Sequence, residues 1–161
     1  PGRGVRGPHV GDAMGLLDKL TEDMKNAMRE KDALKTSVLR MTMSECKYAR
    51  VEKMRDLTDD EVIAVIKKGV KSREDSETQY RNANRPDLAD KEAAEAVILK
   101  AYVPATIGGP ELEAIVAEAI TSTGAASPKD IGKVMKAVLG AHGARVDGKD
   151  VQKIAAQKLG A

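Results

Sequence analysis

Apolar residues recur at the spacing of an α-helix through almost the whole sequence, and this periodicity limits the possible folds more than any other feature. The first such segment places Leu16, Leu20, Met24 and Ala27 on one side of a helix and charged residues on the other. The alternation of apolar and polar residues that is typical of a half-buried β-strand does not occur. The sequence therefore predicts an all-α fold.

Turn-forming residues divide this helical pattern into two parts. Two prolines and two glycines fall within the seven positions from Pro104 to Pro110, which is typical of a loop or linker. We expect an N-terminal helical domain of about four helices over residues 14–103. A small three-helix tail domain is expected over residues 111–161.

The first 13 residues are set apart from this pattern. They are rich in glycine, lack periodicity and stop just before a natural start at Met14. We expect residues 1–13 to be an expression leader and leave them out of the fold prediction. A native disordered extension is the alternative.

Several helix ends can be predicted from capping signals. Thr58 and Glu61 have the spacing of a capping box, in which each side chain accepts a hydrogen bond from the other residue's backbone amide. Gly124 is expected to follow the fifth helix as its C-terminal glycine. Ser127, followed by Pro128, is expected to cap the sixth helix.

The polar segment 81–87 carries two asparagines and two arginines beside Pro86. Because proline cannot donate a backbone hydrogen bond and restricts the residue before it, the third helix should end here. We expect a connector whose side chains cap the fourth helix. A polar contact surface for a partner is the alternative.

Composition excludes several kinds of site. The 161 residues include three tyrosines but no phenylalanine or tryptophan, so the core must be aliphatic and a base-stacking platform is close to excluded. Cys46 is the single cysteine, which rules out an intramolecular disulfide, and no cysteine–histidine cluster has zinc spacing. No apolar run is long enough for a membrane span. We therefore expect a soluble cytoplasmic protein without metal, cofactor or membrane contact.

The net charge of +2 conceals an uneven distribution. Residues 125–161 carry seven basic and three acidic side chains, whereas residues 57–103 carry eight basic and ten acidic ones. In the predicted sixth helix Lys129, Lys133 and Lys136 lie opposite the apolar stripe, and Lys149 and Lys153 do so in the seventh. This pattern favours a phosphate-rich partner; a solvated lysine face is the alternative.

Three separated blocks of sequence resemble the GatB/YqeY family and follow the family's order. They are DMKNAMREKDALKTSVLRM from Asp23, QYRNANRPDLADKEAAEAVILKAYVPATI from Gln79, and GKVMKAVLGAHGARVDGKDVQKIAAQKL from Gly132. The last block is similar to the tail of the B subunit of the glutamine-dependent Asp-tRNA/Glu-tRNA amidotransferase. No kinase-like or amidase domain accompanies it, so the chain resembles the free-standing YqeY-like members.

The resemblance implies a tail that binds tRNA by its shape and carries out no chemistry. It points to the region around the turn between the last two helices, where cations would contact phosphates and glycine amides would approach the backbone. The candidate RNA-binding residues are Lys133, Lys136, Gly140, Gly143, Arg145, Gly148, Lys149 and Lys153. One alternative is an accessory subunit of a glutamine-dependent carbon–nitrogen ligase, with amidotransferase or aminoacyl-tRNA synthetase subunits as partners. Another is a helical module for protein–protein interaction.

No set of residues has the pattern of a catalytic site. An amidase-type mechanism needs an activated serine or cysteine beside a base and an oxyanion hole, and no serine lies in a nucleophile-elbow sequence. Cys46 is expected to be a half-buried, inert thiol. His142 is expected only to interact favourably with the end of its helix. We therefore expect no catalytic residues and no enzymatic activity of the chain by itself.

Overall fold

The computed structural model describes residues Gly15–Gly160, and every regular element in that range is helical, which confirms the all-α prediction. The proposed leader, residues 1–13, and Met14 lie outside the described range. The seven α-helices are α1 Leu16–Arg29, α2 Ala33–Lys53, α3 Asp59–Asn82, α4 Pro86–Lys100, α5 Gly109–Thr123, α6 Ile131–His142 and α7 Gly148–Lys158. Single 3-10 turns, Pro128–Asp130 and Gly143–Arg145, lie on either side of α6.

The chain forms two compact units, one ending at Val103 and the other beginning at Pro104. Across Gly15–Gly160 we find no helix with the length and apolar character needed to cross a bilayer. Each unit has its own apolar core. The two units are described separately below.

The N-terminal unit packs α1 along α2 and α3 along α4, and α2 also contacts α3 and α4. Its core consists of aliphatic side chains and one thiol, as the lack of phenylalanine and tryptophan requires. The fully buried members are Leu20, Val38, Leu39, Cys46, Val62, Ile66 and Leu99. Removal of this apolar surface from water is the main stabilising term of the unit.

The start of α3 is fixed by the predicted capping box, which the structure confirms. The Thr58 hydroxyl accepts a hydrogen bond from the Glu61 amide, and the Glu61 carboxylate accepts one from the Thr58 amide. Arg55 donates two hydrogen bonds of 2.8 and 2.7 Å to the same carboxylate, which holds the pKa of Glu61 well below its usual range. The Leu16 amide donates to Asp59 Oδ1 at 3.0 Å, so the same turn also anchors α1.

The connector between α3 and α4 differs in detail from the expectation. Asn84 adopts a left-handed conformation with φ of 59°, and Pro86 is the first residue of α4. Arg85 occupies the N-cap position but makes no side-chain capping hydrogen bond, so the prediction that side chains of this segment cap α4 was wrong. Instead Arg85 pairs with Asp87, and Arg81 pairs with acidic side chains of α3 and α4.

The tail unit packs α5, α6 and α7 around a second aliphatic core. Its buried members are Ile107, Leu112, Val116, Ala119, Val134, Val138, Val146, Val151 and Ala155. Ile107 belongs to this core, so the unit includes part of the proline- and glycine-rich segment that precedes α5. Gly124 ends α5 in the left-handed conformation with φ of 71°, as predicted.

The positions at the start of α6 were predicted correctly, with Ser127 at the cap and Pro128 as the first helical residue, but the capping bond was not. Ser127 makes no side-chain capping hydrogen bond, and Pro128–Asp130 forms a 3-10 turn before the α-helix begins at Ile131. The Asp130 carboxylate accepts a hydrogen bond from the Ala126 amide at 2.9 Å, while the Ser127 carbonyl accepts from the Asp130 amide. The amide that the serine hydroxyl was expected to bind is therefore taken by the serine's own carbonyl, and the Asp130 carboxylate binds the turn before it.

Tyr102, just after α4, connects the end of that helix with α1 through a side-chain hydrogen bond. Its hydroxyl donates to Asp23 Oδ2 of α1 at 2.5 Å. Burial of the phenol is the larger cause, and this hydrogen bond the smaller one, of a Tyr102 pKa well above its usual range. We expect Tyr102→Phe to lower the free energy of unfolding at neutral pH by about 1–2 kcal/mol, because a hydrogen bond to a charged acceptor is lost.

The pH dependence of stability should change as well. Since the folded-state pKa of Tyr102 is raised, the unfolded chain ionises first, and the wild-type contribution is lost as the pH rises above about 10. The phenylalanine variant lacks this alkaline loss. Urea denaturation at neutral and alkaline pH measures both effects. Tyr48→Phe, at an exposed position, is the matched control, and equal behaviour of the two variants would contradict the assignment.

Candidate nucleic-acid interface

The α6 helix separates its cations from the core. Val134 and Val138 are buried against α5 and α7, while Lys133 and Lys136 lie exposed on the opposite side of the helix. Gly140 lies one turn beyond Lys136 on this exposed side, and a Cβ added to it would meet no atom within 4 Å. This face of α6 thus presents two ammonium groups beside accessible backbone.

The turn after α6 is held in place by its main chain. Gly143 has φ of 54°, in the region that favours glycine. The carbonyl of Arg145 accepts a hydrogen bond from the Ile107 amide at 2.7 Å, and Val146 is buried in the tail core. The Arg145 side chain remains exposed, so a fixed backbone carries a free guanidinium.

The α7 helix repeats the arrangement of α6. Val151 and Ala155 face the core, and Lys149 and Lys153 lie exposed on the other side of the helix. The helix begins at Gly148, and the Asp147 carboxylate caps it by accepting a hydrogen bond from the Lys149 amide at 2.8 Å. The cap leaves the Lys149 ammonium group available.

The predicted site residues form two pairs and a bridge. Residues three or four apart are neighbours on a helix surface, so Lys133 lies beside Lys136, and Lys149 lies beside Lys153. The two pairs belong to different helices packed on one core. The turn that carries Arg145 joins the two helices.

Most tail cations are free of internal partners. Among the residues that the structure describes, only Lys133 of the tail forms an ion pair, with Asp130 at 3.7 Å. Six cations make none with another described residue: Lys129, Lys136, Arg145, Lys149, Lys153 and Lys158. The carboxylates of Asp130 and Asp147 accept hydrogen bonds from backbone amides. The bond from the Ala126 amide, and to a smaller degree the charge of Lys133, lower the pKa of Asp130.

The N-terminal unit differs in that many of its cations are paired with carboxylates, as in Arg50–Asp56 at 2.8 Å and Lys100–Glu74 at 2.8 Å. Others, among them Arg29, Arg40 and Lys25, form no ion pair with a described residue. Within the tail the charges are also segregated, because α5 carries three exposed acidic residues and no basic one. Within the tail, unpaired positive charge is thus confined to α6, α7 and the turns beside them.

Two further cations extend this surface beyond the candidate RNA-binding residues. Lys129, which the sequence placed on one stripe with Lys133 and Lys136, lies exposed on the 3-10 turn before α6. Lys158 lies exposed at the end of α7, so the two cations stand at the outer ends of the two helices.

The structure also shows the surroundings of residue types that commonly serve as nucleophiles or metal ligands. Cys46 is fully buried rather than half-buried, and burial raises the pKa of its thiol, as expected of an inert cysteine. The Ser122 hydroxyl donates to the Ala119 carbonyl of its own helix. In the range Gly15–Gly160, no three histidine, cysteine, aspartate or glutamate side chains are grouped closely enough to hold a metal ion.

Comparison with known proteins identifies the family. The sequence matches the family described as YqeY-like protein over residues 17–159, and the chain belongs to this family. It is 31% identical over 150 residues to "Altered inheritance of mitochondria protein 41, mitochondrial" of Pyrenophora tritici-repentis, covering 91% of this chain and 82% of that protein. The protein of the same name from Clavispora lusitaniae is 34% identical over 88 residues, which cover 55% of this chain and 51% of that protein.

Proposed function

We propose that the tail unit binds the phosphate backbone of a structured RNA, with tRNA as the ligand, and that the chain acts without catalysing a reaction itself. The observation that supports this proposal is the set of six exposed tail cations without an ion pair to a described residue. Exposed cations that are not neutralised internally are available to replace counterions on a nucleic acid.

The arrangement of these cations favours recognition of shape over sequence. Two exposed lysine pairs on α6 and α7, with Arg145 on the turn between the helices, offer separate contacts to phosphates of a folded backbone. The protein has only three aromatic residues, and none lies in the tail, so stacking on unpaired bases has little part in binding. The resemblance of the run from Gly132 to an amidotransferase tail supports tRNA as the structured RNA.

An accessory role beside a carbon–nitrogen ligase or an aminoacyl-tRNA synthetase subunit is compatible with such a tail. In that role the protein would deliver or hold tRNA for its enzyme partner. Stimulation of transamidation by the added protein would favour this alternative. The cellular compartment also stays a prediction, since the sequence favours the cytoplasm and the fungal relatives are named as mitochondrial proteins.

The proposal predicts salt-dependent binding of the full-length chain to bulk tRNA. About four phosphate contacts should give a slope near −3 in a plot of log affinity against log salt concentration. The double variant Lys133→Glu/Lys136→Glu should lower affinity by roughly tenfold and reduce the slope to about half, because two contacts are lost and repulsion is added. Fluorescence anisotropy with labelled tRNA across a salt series measures both quantities.

A matched control reverses two exposed lysines of the N-terminal unit. Lys25 and Lys47 are exposed and make no ion pair with any residue in Gly15–Gly160. The variant Lys25→Glu/Lys47→Glu changes the net charge by the same amount and should retain the wild-type slope. Equal losses in the two double variants would show that net charge alone governs binding, and a lack of binding at low salt would overturn the proposal.

A further inference from the structure

A groove of about 640 Å³ runs between α2, α3 and α4 of the N-terminal unit. The lining part of α2 extends from Ser37 to Glu52, which corresponds to about 22 Å or four helical turns at 1.5 Å per residue. We call this depression the α2–α4 groove. It lies in the unit that the proposed RNA surface does not use.

The floor of the groove is fixed and internally neutralised. Arg73 Nε donates to Glu95 Oε1 at 3.0 Å, and the two side chains are only 9% and 14% exposed. The same guanidinium donates to the Gly69 carbonyl at 3.1 Å. The backbone approaches closely at Gly69, because a Cβ there would lie 3.1 Å from Leu99 Cδ1 and 3.2 Å from Arg73 Nη1. The floor is therefore rigid and has no unpaired charge to offer.

The rim of the groove is apolar and exposed. Met41 is 51% exposed and Tyr48 is 75% exposed, and both line the groove from α2. Tyrosine is enriched at the energetic centres of protein interfaces because it contributes a large area at a small entropic cost. Methionine adapts its flexible side chain to different partner surfaces. A chain with only three aromatic residues thus places one of them on this open rim.

The unpaired charges around the rim are mainly negative. Glu45 and Glu52 of α2 and Glu92 of α4 line the groove and form no ion pair with any described residue. Of the lining cations, Arg73 and Lys91 are held by Glu95, which leaves Lys68 against three free carboxylates. An apolar rim surrounded by unpaired carboxylates is complementary to an apolar surface flanked by cations.

We propose that the α2–α4 groove is a docking site for an amphipathic helix of another protein, one whose apolar side is flanked by lysine or arginine. A helix with its side chains is about 10–12 Å across, and its anchors at successive turns would pack against Met41 and Tyr48. The flanking cations would pair with Glu45, Glu52 and Glu92. A nucleic acid is disfavoured on this face because the free carboxylates would repel it.

The docking site stands independently of RNA binding by the tail. If both surfaces operate, the protein is an adaptor that connects a protein partner at its N-terminal unit with an RNA at its tail. Failure of the groove would leave the tail proposal intact, since the two surfaces lie on separate units and are tested by different probes.

A designed peptide tests the groove with the full-length chain. The probe is a helical peptide of about 18 residues, roughly 27 Å long, with leucines and one tryptophan on its apolar side and lysines along both flanks. Because the protein contains no tryptophan, selective excitation reports only the peptide. We expect saturable binding with a blue shift of the peptide emission. Tyr48→Ala should weaken it about tenfold, as loss of an interface anchor does, and Glu45→Gln/Glu52→Gln should weaken it several-fold.

Two controls make the result decisive. Val97→Ala truncates another exposed apolar side chain, 65% exposed on α4 but outside the groove lining, and should bind as the wild type does. A second peptide with glutamate in place of each lysine should not bind. No binding of the lysine peptide, equal binding of the two peptides, or equal effects of the Tyr48 and Val97 substitutions would overturn the proposal. So would a loss of tRNA affinity in Tyr48→Ala, which would assign this face to RNA.

Discussion

Replacement of Glu95 by alanine is expected to lower the free energy of unfolding by about 3 kcal/mol, because it leaves a nearly buried guanidinium without its counterion. Arg73 is 9% exposed, and its Nε bond to Glu95 bridges α3 and α4. Lys91 also loses its partner, which contributes little because that pair lies at the surface. Urea denaturation followed by far-UV circular dichroism measures the change.

The control for this prediction lies one turn away on the same helix. Glu92→Ala removes a carboxylate that makes no ion pair with the described residues, and we expect a change within about 0.5 kcal/mol. Arg73→Met/Glu95→Met should recover most of the stability lost in Glu95→Ala, since an apolar pair can replace a buried ion pair. Equal stabilities of the Glu95 and Glu92 variants would show that the buried pair does not matter to the fold.

Truncation of Leu112 to alanine is expected to destabilise the tail unit by about 3 kcal/mol through lost burial and the cavity left behind. Leu112 is fully buried beside Val116 and Val134 in a core built from small aliphatic side chains. A unit of this size has little stability to spare. Faster amide hydrogen exchange across α5–α7 and weaker tRNA binding should therefore accompany the substitution.

Leu139→Ala is the matched control, because it removes the same atoms from a position on α6 that is 37% exposed. Its expected effect is about half that of Leu112→Ala, since over a third of the residue stays exposed in the folded state and the truncation opens to solvent. Hydrogen exchange across the tail should then change correspondingly less. Similar losses in the two leucine variants would contradict the burial assigned to Leu112.

The sequence predicted the helices well because helical periodicity and capping are local. The Thr58 capping box and the left-handed Gly124 depend on residues within one turn, and both were found as expected. The capping bond of Ser127 was misjudged because the same residue offers two acceptors, and the Asp130 amide donates to the Ser127 carbonyl and not to its hydroxyl. A short motif cannot decide between competing acceptors whose geometry depends on the next helix.

In the candidate site, too, the features set by one helix could be predicted and those set by contacts between helices could not. The exposure of Lys133 and Lys149 follows from their position opposite the valines of their own helices, so it could be read from the sequence. The lack of ion partners could not, because it depends on which carboxylates serve as caps. The Arg73–Glu95 pair escaped detection as well, since its partners are 22 positions apart on different helices and nothing local marks them.

The segregation of charge within the tail has a kinetic consequence. With acidic residues on α5 and unpaired cations on α6 and α7, the unit has an electric dipole that a polyanion would feel at a distance of about one Debye length, 8–10 Å at physiological salt. Such a field rotates an approaching molecule before contact and raises the rate of productive encounters. The salt sensitivity of RNA binding should therefore lie largely in the association rate, with the dissociation rate changing far less.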